Sequence, residues 1–195
     1  SSMINSMLNF FLDTFKDKKD IAKSLLKAKK IESKSDQMQE QISAYLAECT
    51  KHELSFRSSK EAAAMMRITN ELESIGDSSL NLFIQIEKLD KDLEFTDTMN
   101  DEIIKFYGRV IEFIKWNSSF IIDDIQPMTE QELYKSIEYE KEIDDIRNKL
   151  IDSSRERLSK GSKPKMELLF IDIIKHLEHI GDYSLNISQA LEEIN

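Results

Sequence analysis

The chain has 195 residues, enough for one ordinary domain that buries its own core without staples. Its 37 acidic and 27 basic residues give a formal charge of −10, which argues against nucleic acid or anionic lipid as partner and in favour of cations or basic proteins. Only four Gly and two Pro interrupt it, its one cysteine (Cys49) cannot form an internal disulfide, and no apolar run reaches the roughly 18 residues of a membrane span; long helices in a reducing, cytoplasmic setting are the expectation.

Six helices are predicted, separated at Asp17 to Asp20, Glu53 to Ser59, Asp90 to Asp97, Gln126-Pro127 and Lys160 to Pro164. The second carries Glu32 and Asp36. The third has Ser59 as a plausible cap, Met65 and Met66 as gap-filling core, and an apolar seam of Ile68, Leu72, Ile75, Ser79, Leu82, Ile86 and Leu89. The fourth, about Thr98 to Ile125, is apolar nearly all round, which predicts a central position or a partner surface, core being the plainer reading. Thr129 with Glu132 makes a capping-box signal for the fifth, which carries Glu140 and Asp144. Pro164 suits the first turn of the sixth.

The third and sixth helices repeat each other. The ten residues from Leu72 to Asn81 return as Leu177 to Asn186 at an offset of 105, with the seam repeated as Ile173, Leu177, Ile180, Ser184, Ile187, Leu191 and Ile194. Glu32 and Asp36 return as Glu140 and Asp144 at an offset of 108. An internal duplication follows, with units 1–94 and 95–195, each predicted to be an antiparallel three-helix bundle in an all-α protein. The fourth helix begins so early that its counterpart would start about ten residues before Ser1. The first helix therefore reads as cut short, and Ser1-Ser2-Met3 reads as an artificial junction.

Glu73, Asp77 and Asn81 stand four residues apart and form one ridge, as do Glu178, Asp182 and Asn186. In so acidic a chain a solvated surface is the plainer explanation. Two features argue for more. Like charges at this spacing destabilise a helix, yet the pattern occurs in both copies, and Gly76 and Gly181 stand beside each Asp at a helix-interior cost of about 1 kcal/mol, allowing close approach of a helix or an ion. If Glu32 and Asp36 face Glu73 and Asp77, and Glu140 and Asp144 face Glu178 and Asp182, each group would gather four carboxylates with no protein cation obviously placed among them in the first. Oxygen-only ligation favours Mg, Ca, Mn or ferric iron. His176 and His179 could assist, although ordinary helix residues is their plainer reading.

At these residues the sequence resembles the PhoU family, in which paired three-helix bundles repeat a Glu-Arg-Ile-Gly-Asp type segment. Here it reads Glu73-Ser74-Ile75-Gly76-Asp77 and Glu178-His179-Ile180-Gly181-Asp182, with Ser74 and His179 in place of the Arg. The acidic-Lys-x-x-Asp pattern of the preceding helix is matched by Glu140-Lys141-Glu142-Ile143-Asp144, and at its acids by Glu32 and Asp36. The resemblance implies metal-cluster binding, often of iron, and a role in phosphate transport or homeostasis. Tyr45-Leu46 and Leu54-Ser55 look most like the soluble C-terminal tail of bacterial sodium-dependent phosphate cotransporters, which would place the chain at the inner face of the membrane beside the transporter portion of the same protein. Two alternatives stand: a free-standing PhoU-type regulator of an ABC-type phosphate transporter or sensor kinase, and a structural helical adaptor without metal. Homo-oligomers fit any of these. No Glu-x-x-His pair, phosphate loop or activated nucleophile supports an enzyme.

Overall fold

The computed structural model describes residues 2–51, 53–89, 93–122 and 124–194. Six helices make up the architecture: α1 (Ser2–Asp17), α2 (Ile21–Cys49), α3 (Phe56–Glu87), α4 (Asp97–Ser118), α5 (Glu130–Ser159) and α6 (Pro164–Glu192). Their ends follow local chemistry. The Thr129 hydroxyl accepts from the Glu132 amide while the Glu132 carboxylate accepts from the Thr129 amide, closing the expected capping box, and Pro164 opens α6. The cap of α3 is Ser55 rather than Ser59: its hydroxyl accepts from the Ser58 amide at 3.1 Å, and Ser59 already lies inside the helix. Of the expected break at Asp90 to Asp97, residues 90–92 lie outside the described residues.

The seams of α3 and α6 bring these two helices together as the antiparallel centre of the molecule. Arg67 near the start of α3 donates to Gln189 and Glu193 near the end of α6, at 2.8 and 2.9 Å, and Asn186 donates to Glu71. Ile68, Ile75, Leu82 and Ile86 on one side, and Ile173, Leu177, Ile180 and Leu191 on the other, are buried as the pattern predicts.

The remaining helices repeat one arrangement twice. α2 runs antiparallel to α3 and α5 antiparallel to α6, while α1 packs on α3 and α4 on α6. Phe11 meets the edge of Phe83 at 5.4 Å, and Asn117 of α4 donates to the Ser184 carbonyl while accepting from the Ser188 hydroxyl at 2.7 Å. Lys27 sits over Phe10 at 4.1 Å, and its counterpart Lys135 sits over Trp116 at 3.9 Å. Each half is thus an up-down-up bundle.

The fourth helix departs from the sequence expectation in length and place. It ends at Ser118 instead of Ile125, the chain turning over residues 119–122, and it flanks α5 and α6 rather than occupying the centre. Phe106, Val110 and Phe113 are fully buried, but Asp101, Lys105, Glu112 and Lys115 give the helix a solvent face. Met65, Met66 and Cys49 are half-buried and lie outside the core.

Candidate metal centre

The antiparallel α2/α3 pair sets Glu32 and Asp36, one turn apart, against Glu73 and Asp77, also one turn apart. Carboxylate oxygens of Glu32, Asp36 and Asp77 lie within 4.8 Å of one another, the one such group of three potential ligands among the described residues. Glu32 and Asp36 are half-buried and Asp77 is exposed. Asp36 Oδ1 is shut off from solvent and has no hydrogen-bond partner. Burial, then the nearby Asp36 and Asp77 charges, push the Glu32 carboxyl up to about 7. Glu73 is also raised, by burial first and then by Asp77 and Asp36. None of the four enters an ion pair among the described residues. A buried acceptor without a donor, inside a set of oxygens that repel each other, suits a hard cation.

The corresponding group between α5 and α6 is organised differently. Arg147 reaches between the helices and donates through Nη2 to Asp144 at 2.8 Å and Glu178 at 3.0 Å. Glu140, Glu178 and Asp182 are raised by burial first and then by neighbouring acids, and the Arg147 charge opposes the rise at each. At the 108 offset the counterpart of Arg147 is Gln39. It donates to Asn70 at 2.8 Å instead, so the first group keeps no internal cation. Arg147 is the residue sequence reasoning missed, and the Gln39 to Arg147 difference was the available signal.

The amides at the ends of the ridges stand apart from these groups. Asn186 is held by Glu71, and Asn81 lies half-buried one turn beyond Asp77, outside the three converging oxygens. His179 Nε2 lies 3.7 Å from Glu178 Oε2, whereas His176 is half-buried with Nδ1 shielded and unpartnered, its pKa lowered by burial first. The two glycines also differ. A Cβ on Gly181 would come within 3.1 Å of Ile143 Cδ1 and Cγ2, so α5 approaches closely there, while a Cβ on Gly76 would meet only Ser35 Oγ at 3.8 Å.

No curated protein sequence matches the chain. Its fold is similar to that of the crystal structure of PhoU from Pseudomonas aeruginosa, with a TM-score of 0.75 at 14% identity over 99% of this chain and 90% of that one. The PhoU domain model matches residues 1–84 and 125–191, which take in both acidic groups and more than half of the sequence, and the chain belongs to the PhoU domain family.

Proposed function

We propose that the chain is a regulator of phosphate uptake that acts by binding, with a hard cation held between α2 and α3 of its first half. The family match across both halves carries the regulatory reading. The convergence of Glu32, Asp36 and Asp77 around the unpartnered Asp36 Oδ1 carries the metal reading, with Glu73 as a further donor. A bound Mg, Mn, Ca or iron ion would supply charge that offsets the carboxylate repulsion and ties α2 to α3. The second group does not fit a cation in the same way, because Arg147 already supplies positive charge to it.

Of the two settings, the likeness in fold supports the free-standing regulator, acting on an ABC-type phosphate transporter or a sensor kinase, over the cotransporter tail. It runs along nearly the whole chain and nearly the whole of a PhoU protein. The tail reading rests on Tyr45-Leu46 and Leu54-Ser55.

The test is phosphate uptake across a range of external phosphate in cells lacking this coding region. Uptake should lose its dependence on supply and recover when the wild-type chain is restored. An unchanged uptake curve would remove the regulatory reading.

A further inference from the structure

The negative charge of the chain is not spread evenly. Between positions 16 and 34 there are eight lysines and three acids, a net +5 that leaves −15 on the rest of the chain. The repeat counterpart, positions 124–142, has two lysines and six acids. Within the basic stretch, Lys23, Lys27, Lys30 and Lys34 follow one another along α2 at steps of four, three and four residues. This spacing sets them in an arc of about 60° and makes a ridge roughly 16 Å long. All four are exposed, and none enters an ion pair among the described residues. Lys27 rests over Phe10 as Lys135 rests over Trp116, but the other three positions become Gln131, Glu138 and Glu142 in the second half, so the basic ridge belongs to the first half alone.

Like charges one turn apart repel along a helix, so the ridge is held at a cost that an opposing acid would relieve. We propose that it is the docking surface for an acidic helix of a partner protein, with carboxylates at the same four-three-four spacing laid along α2. Charge complementarity sets the class of partner, and the size of the patch sets its shape. A bilayer or a nucleic-acid duplex extends well beyond a ridge of this length and would bring its own negative charge against the −15 carried elsewhere. A single helix, about 10–12 Å across, meets the lysines alone. Leu26, 62% exposed at the edge of the ridge, offers an apolar contact that a side chain of such a helix can cover. The ridge lies about half a turn round α2 from Glu32 and Asp36, so the partner and a cation between α2 and α3 do not compete for the same face. The surface goes beyond the regulatory reading, and its test involves neither phosphate nor metal.

The probe is a fluorescent, alanine-based helical peptide with glutamates at the four-three-four spacing, titrated with the whole chain and read by anisotropy. Saturable binding that weakens as salt is raised is expected, and the double variant Lys23→Glu, Lys30→Glu should weaken it roughly tenfold or more. Lys149→Glu with Lys165→Glu, an equal change of net charge at exposed positions of α5 and α6, should leave it unchanged within about twofold. Because the ridge lysines are exposed, the Lys23→Glu, Lys30→Glu chain should fold and melt no lower than the wild type, its repulsion along α2 being relieved. The proposal is overturned by an absence of saturable binding, by equal binding of a peptide whose glutamates are scattered round the helix, or by equal losses from the two double variants. Tighter binding to phosphatidylserine vesicles or to duplex DNA, lost in Lys23→Glu, Lys30→Glu, gives the ridge to a lipid surface or a nucleic acid and overturns it as well. So does a dimer by light scattering that the same variant separates, which gives the ridge to a second copy.

Discussion

Position 39 carries Gln where its repeat counterpart, position 147, carries Arg, and this exchange separates a group of acids that is neutralised from within from one that is not. Gln39→Arg should bring a guanidinium to Asp36 and Glu73 as Arg147 is brought to Asp144 and Glu178, removing the metal-dependent rise in melting temperature. For the wild type, an ion at a hundredfold excess over its dissociation constant adds about 2.7 kcal/mol. If Gln39→Arg keeps the full shift, the acids of the first half are not the ligands. The pH dependence carries its own sign. The Glu32 carboxyl, ordinarily at 4.5, is raised to about 7 in the folded chain, so its contribution is whole below 4.5 and is lost as pH rises through about 7. Chelator-treated protein should lose stability over that window, and Glu32→Gln should flatten the loss; parallel melting curves for the two would contradict the assignment. The sequence offered the facing of Glu32 and Asp36 with Glu73 and Asp77 only as a condition, prompted by the recurrence of both acid pairs at offsets of 105 and 108; helix packing is what brings Glu32, Asp36 and Asp77 within 4.8 Å. The role of Arg147 was not legible, because its partners lie on two helices and only packing sets its reach.

At the scale of helices, the same glycine does different things in the two copies. Gly76→Ala should stabilise by about 0.5–1 kcal/mol, since helix propensity improves and the added methyl meets only Ser35 at ordinary contact distance. Gly181→Ala should lose that gain and destabilise by about 1 kcal/mol, because its methyl presses on Ile143 at 3.1 Å. Thermal or denaturant unfolding decides between them, and equal effects would refute the close approach of α5. Helix seams and the Thr129 box were readable because both are local patterns. The start of α3 was misread because Ser55 and Ser59 stand one turn apart and only the backbone shows which has left the helix. The end of α4 was misread because apolar residues continue through Ile121 after the chain has turned.

For the whole molecule, the duplication read from ten repeated residues matches the repeated packing of α1, α2 and α3 as α4, α5 and α6. The sequence could not show which helices form the centre. α4 has the more continuous apolar run, yet α3 and α6 meet there because their seams match each other in length and face. The account rests on one asymmetry in this nearly symmetric frame: acids with no protein cation among them in the first half, where we propose a bound ion, and Arg147 among the acids of the second. Elemental analysis of protein purified without chelator tests it most directly, comparing the wild type with Asp77→Asn and Asp182→Asn. Stoichiometric metal in the wild type and Asp182→Asn, and none in Asp77→Asn, is the predicted result. A metal-free wild type, or metal lost with Asp182→Asn but kept with Asp77→Asn, would contradict it.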